Sequence, residues 1–213
     1  MQRATPGWLR AAALAATLAL APGTVLAGAQ QYEPLADSVR AALSAAVADR
    51  GAPESQFASV LDKVEWLTDM SQRMAKRMPE RDARIEFLKT VHYEATRAGL
   101  DPQMVLGLIQ VESGFKKYSI SVAGARGYMQ VMPFWVRLIG GKDSNLFHMR
   151  TNLRFGCTIL RHYLDIENGD LYRALGRYNG SLGQPEYPNM VRGAWERQWA
   201  WGPRAMEPRQ SAR

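Results

Sequence analysis

The chain has 213 residues, 46% of them hydrophobic and 22% charged, with one cysteine and a net charge of +7. That length and balance fit one folded core plus a short accessory segment, and they exclude a disordered chain, a fibrous repeat and a disulfide-stapled scaffold. The positive balance suits an anionic polymer. Lysines and arginines are scattered along the chain, so nucleic acid is not the expected partner.

Residues 1–29 read as an export signal. Arg3 and Arg10 supply a positive start, Ala11 to Ala21 is apolar and uncharged, and Val25-Leu26-Ala27 and Ala27-Gly28-Ala29 offer small-residue cleavage sites. The apolar stretch is about half the roughly 20 residues that a membrane span needs. Cleavage removes two positive charges and leaves +5. No cysteine lies near the cut to carry a lipid, so a periplasmic, unlipidated protein is expected. Cys157 shares a helical face with Leu153, Leu160 and Leu164 and reads as a small buried hydrophobe. His92, His148 and His162 lack metal-ligand spacing, so no metal and no cofactor is expected.

From Gln30 onward the pattern is helical, with no sustained alternation of period two. Residues 33–50 form a first expected helix, closed by Gly51 and Pro53. Residues 54–78 form a second, with Phe57, Val60, Leu61, Val64 and Leu67 on one face and Pro79 beyond it. Together, residues 30–80 make a helical accessory segment ahead of a main domain at 81–202, and 203–213 are a loose tail. Within the main domain, a helix over 81–98 stops at Gly99. Asp101-Pro102 then reads as an N-cap followed by proline at the first helical position. Residues 113–127 are loop with room for a short β-hairpin, 133–139 are helix, and 140–145 are a turn. A strongly amphipathic helix covers 151–167, with Gly156 on its apolar face suggesting close backbone packing. Asp170 caps a helix ending at Asn179-Gly180, and a tryptophan-rich helix follows Pro188 to about Trp201.

Glu112 carries the most information. It ends the apolar run that begins at Pro102, on the same helical face as Leu108 and Met104 or Val105. A carboxyl emerging from a core-facing stripe is poorly solvated, and its pKa rises above the roughly 4.3 of a free glutamate, as a general acid near neutral pH requires. Glycine-rich chain follows it. Gly127 allows close backbone approach, Met129 and Met132 offer adaptable apolar contacts, and the Gln130 amide can both donate and accept. Tyr178 adds a directional hydroxyl. Singly, each of these residues reads as readily as core or cap.

Three segments in this order and spacing, Glu112-Ser113-Gly114-Phe115, Gly127-Tyr128-Met129-Gln130-Val131-Met132-Pro133 and Tyr178-Asn179-Gly180, resemble the soluble lytic transglycosylases. These are bacterial enzymes with a catalytic domain like goose-type lysozyme that cut the peptidoglycan glycan. The resemblance covers about residues 81–201. It implies a mainly α, lysozyme-like domain with Glu112 as the single catalytic acid/base. Ser113 would position groups near the scissile sugar; Gly127, Met129, Gln130 and Met132 would line the glycan groove; Tyr178 and Asn179 would belong to the segment whose phenol approaches the carboxyl. Tyr128 stands where leucine is usual, and Gly180-Ser181 where alanine-glycine is more typical.

A glycosidase of the ordinary kind needs two carboxylates flanking the bond. From Ser113 the next acidic residue is Asp143, beyond the whole groove segment. One carboxylate suits the family's non-hydrolytic route to a 1,6-anhydro sugar. A hydrolytic muramidase on the same fold, with Asp143 or a carboxylate that spacing does not reveal activating water, and a non-catalytic glycan-binding scaffold, are the alternatives. The expected partner is peptidoglycan, cut by a monomer. The sequence leaves open general wall turnover against local opening for a secretion machine, pilus or flagellum.

Overall fold

The computed structural model describes residues 30–48, 57–140 and 144–202. The export signal, Gly51 and Pro53 with Glu54, Asp143 within the turn, and the 203–213 tail lie outside the described residues. Among the described residues eight α-helices follow in order: α1 Asp37–Ala48, α2 Val60–Met74, α3 Arg81–Arg97, α4 Pro102–Ser113, α5 Pro133–Ile139, α6 Met149–Ile166, α7 Leu171–Asn179 and α8 Glu186–Ala194. A π-helical turn, Trp195–Trp199, continues α8. No strand occurs among the described residues. The short hairpin that the sequence allowed is reduced to two isolated antiparallel bridges, Ile120 with Arg126 and Arg126 with Val131. The architecture is the mainly helical, lysozyme-like one expected.

Helix ends follow local chemistry. Asp101 caps α4 by accepting from the Gln103 and Met104 N–H groups, with Pro102 at the first helical position. Asp170 caps α7 through the Arg173 N–H. Two starts differ from the sequence reading. Pro34 disfavours helical backbone at Glu33, so α1 begins at Asp37 and residues 30–36 form an arm without regular structure. Ser59 accepts from the Asp62 N–H and starts α2 at Val60.

The buried face of α2 also differs. Val60, Leu61 and Val64 are 79%, 65% and 55% exposed, whereas Trp66, Met70 and Met74 are buried. Packing near the C-terminal half of α2 selects this face. Arg73 reaches across from α2 to the Gln198 and Ala200 carbonyls at 3.0 and 2.9 Å, and Arg77 donates to the Gln198 side chain at 2.6 Å. Trp66 and Phe57 enclose His92, whose ring stacks on Phe57 with centroids 3.7 Å apart.

α4 is the central helix, packed on α3, α8 and the π turn. At Gly107 the Trp195 backbone comes so close that an added Cβ would lie 2.9 Å from the Trp195 nitrogen. α6 packs against the chain around Met129. Gly156 admits Met129, where an added Cβ would be 2.7 Å from the Met129 Cβ, so this glycine makes room for a side chain where the sequence suggests a close backbone approach.

Candidate active site

Glu112 is the penultimate residue of α4, which Gly114 ends in the left-handed conformation. Its side chain is buried, the residue being 5% exposed. Tyr187 donates its hydroxyl hydrogen to Glu112 Oε1 at 2.5 Å, while Oε2 is enclosed without a hydrogen-bond partner. Burial pushes the carboxyl from its ordinary 4.5 to about 8, with the Tyr187 hydrogen bond pulling the other way. The acid is therefore protonated near neutral pH. One oxygen is fixed by a phenol and the other is uncommitted.

Two more glutamates are buried among the described residues, and both are ion-paired. Arg154 holds Glu94 through Nε and Nη2 at 2.9 to 3.3 Å, with Arg97 at 3.1 Å. Arg177 and Arg173 hold Glu167, and their hydrogen bonds keep its carboxyl below the usual range. Neither is free to share the chemistry of Glu112.

Chain 113–133 is built around Asn152 of α6. The Asn152 Oδ1 accepts from the Met129 N–H at 2.8 Å, and its Nδ2 donates to the Arg126 and Leu146 carbonyls at 2.8 and 2.9 Å. Gly127 lies against this amide with φ of 75°, and an added Cβ would be 2.4 Å from Asn152 Nδ2, so only glycine fits. The Ser113 hydroxyl donates to the Tyr128 carbonyl at 2.7 Å and ties the end of α4 to the segment. Tyr178 donates to the Met129 carbonyl at 2.8 Å from α7. Gln130, in left-handed backbone with φ of 47°, donates its amide hydrogens to the Gly127 and Ser119 carbonyls at 2.9 and 3.2 Å.

The predicted residues therefore come together, although several hold one another. Ser113, Gly127, Met129, Gln130 and Tyr178 are buried and form one bonded assembly beside Glu112. Met132 is half-buried. Asn179 is buried with its Nδ2 on the Ser181 hydroxyl at 3.0 Å and its Oδ1 unpartnered. The phenol hydrogen-bonded to the carboxyl is that of Tyr187; the Tyr178 hydroxyl donates to the Met129 carbonyl, and Tyr178 lies near enough for the Glu112 charge to add to the burial that raises its pKa.

Sequence reasoning missed Tyr187 because Pro188 was read as a barrier before the last helix. α8 starts at Glu186, and Pro188 sits in its first turn, where a missing N–H costs nothing. Tyr187, Val191 and Ala194 share the buried face at helical spacing, a signal present in the sequence. Asn152 lies on the face of α6 that carries Gly156. Among the described residues no group of three or more His, Cys, Asp or Glu side chains is placed to hold a metal. Burial pushes the Cys157 thiol up, out of the range of a nucleophile.

A mainly helical, lysozyme-like domain with a buried, cation-free glutamate at the end of its central helix defines the class. Residues 89–190 match the family described as "Transglycosylase SLT domain", the family that the three sequence segments resemble. It is 31% identical over 103 residues to a "Transglycosylase" of Enterobacteria phage PRD1, covering 48% of this chain and 38% of the phage protein. It is 32% identical over 114 residues to "Membrane-bound lytic murein transglycosylase C" of Haemophilus influenzae (strain PittEE), covering 46% and 32% of the two chains. The protein of the same name in Histophilus somni (strain 2336) is 34% identical over 113 residues, covering 46% and 31%. The chain thus spans about a third of the length of the curated relatives it matches.

Proposed function

We propose that the protein is a peptidoglycan lytic transglycosylase acting outside the cytoplasm, with Glu112 as its single acid and base. One observation carries this reading: Glu112 alone among the buried glutamates of the described residues has a phenol where the others have guanidinium groups. A carboxyl without a cation, dried by its surroundings, keeps its proton until a glycosidic oxygen takes it. Protonation cleaves the bond between the muramic C1 and that oxygen, and the sugar's own acetamido carbonyl shields the developing charge at C1. Glu112, now a carboxylate with the basicity of a pKa near 8, takes the proton of the muramic C6 hydroxyl. The C6 oxygen bonds to C1, the acetamido group is released, and the acid is restored. Water is neither added nor removed.

Relatives named for murein transglycosylase activity support the substrate class. No helix among the described residues is long and apolar enough to cross a membrane. Mass spectrometry of products from purified sacculi tests the route: 1,6-anhydro muropeptides are expected, and reducing-end muropeptides, one water heavier, would replace it with the hydrolytic route. Glu112→Gln keeps the acceptor for Tyr187 and removes the transferable proton. Lysis should fall by about 10²-fold or more with sacculus binding retained.

A further inference from the structure

The arm at 30–36 has no regular structure, yet it is fastened at three points. Gln30 is only 4% exposed. Its Nε2 donates to the Gln130 carbonyl at 3.4 Å, and its Oε1 accepts from the Met132 N–H at 3.3 Å. Both bonds fall on the two sides of Val131, next to the left-handed backbone of Gln130, where a conformation disfavoured for a non-glycine residue needs outside support. The same amide interacts with the Tyr178 hydroxyl. Tyr32 sets its ring edge-on to Phe134 of α5 at 5.7 Å, and Glu33 pairs with Arg177 of α7 at 2.8 Å. Between arm and α7 lies a polar cavity of about 290 Å³, lined by Gln31 and Glu33 on one side and Arg177, Gly180 and Ser181 on the other.

We propose that the arm is a working wall of the glycan groove, and that Gln30 is a positioning residue clasping the Gln130–Met132 backbone against Tyr178. A carboxamide donates from its nitrogen and accepts at its oxygen, so one side chain can serve a carbonyl and an N–H at separate atoms. Gln30 does both across a single residue. Without it the Gln130 carbonyl and the Met132 N–H lose their support, and the segment beside Glu112 loosens. This rests on the transglycosylase reading for its substrate, though not for its structural part.

The test is Gln30→Ala in the full chain, read two ways. Without substrate, exchange of the Met132 amide hydrogen should quicken roughly fivefold to tenfold, as one modest hydrogen bond predicts. On purified glycan strands kcat/KM should fall about tenfold with most of the loss in KM, and Gln30→Glu, which keeps the acceptor for Met132, should recover part of both. Glu33→Ala, which frees the arm from Arg177 without touching the clasp, should raise KM to a smaller extent. A faster enzyme after either change would make the arm a plug and overturn the proposal, as would unchanged exchange and kinetics. Should the parent protein cleave no glycan, the exchange result still decides the clasp, and only the functional reading fails.

Discussion

Glu94 and Glu112 stand 18 residues apart, both buried, both on helices that face one core. Glu94 lies between α3 and α6 with guanidinium groups of Arg97 and Arg154 on its oxygens. Glu112 lies at the end of α4 with one phenol and one bare oxygen. Burial alone does not make an acid catalytic. The neighbour decides, because a cation stabilises the charged form and a phenol in a dry site leaves the proton in place.

The comparison breaks most visibly at Glu94. Glu94→Gln leaves the Arg154 and Arg97 charges buried without compensation and should cost about 3–5 kcal/mol. Thermal denaturation should show a melting temperature roughly 10 °C lower, with activity per folded molecule little changed. An equal loss of activity and stability would make the α3–α6 ion cluster part of the site.

Tyr187→Phe sharpens the other half. The phenol orients the carboxyl and pulls its pKa down, so its removal should lower kcat by about 10- to 100-fold and push the pKa further up. The alkaline limb of the kcat/KM profile, expected near pH 8 in the parent, should then move to higher pH. A limb that stays put, with kcat unchanged, would separate Tyr187 from the chemistry.

A second consequence of the raised pKa is read in stability. Folded Glu112 holds its proton to about pH 8, whereas the unfolded chain gives it up near 4.5. Across that window the native state binds the extra proton, so stability falls as pH rises. Glu112→Gln removes this loss. Its melting temperature relative to the parent should climb between pH 4.5 and 8, at about 2–4 °C for each kcal/mol recovered.

His92 gives the weakest signal and the opposite sign. Burial between Phe57 and Trp66, with Lys63 adding to it, lowers its pKa to about 4. The unfolded chain takes up a proton near 6.5 and the native state does not, so stability is full above about 6.5 and is lost as pH falls toward 4. His92→Gln should flatten that acid limb in a thermal melt series.

Much of this was legible in the sequence where the determining chemistry is local. Asp101-Pro102 placed the start of α4, Pro133 and Gly140 bounded α5 at Pro133–Ile139, and the burial of Glu112 followed from helical spacing. Long-range choices were not legible. Val60, Leu61 and Val64 form as good an apolar stripe as Trp66, Met70 and Met74, and only the position of Phe57, His92 and the C-terminal helix selects between them. Tyr187 is 75 residues from the carboxyl it holds, and Gln30 is 100 residues from Gln130. Neither pairing leaves a periodic trace. Residue types single out 127–133 in the sequence, but that Gln130 braces its own loop follows from a φ angle that a sequence does not display.

Arg73 joins α2 to the carbonyls of Gln198 and Ala200, just past the helix that presents Tyr187. The accessory helix and the last turn are thereby buckled together, like the two ends of a belt, around the centre that holds Glu112. Loosening the buckle with Arg73→Ala would be felt at a hydroxyl it never touches.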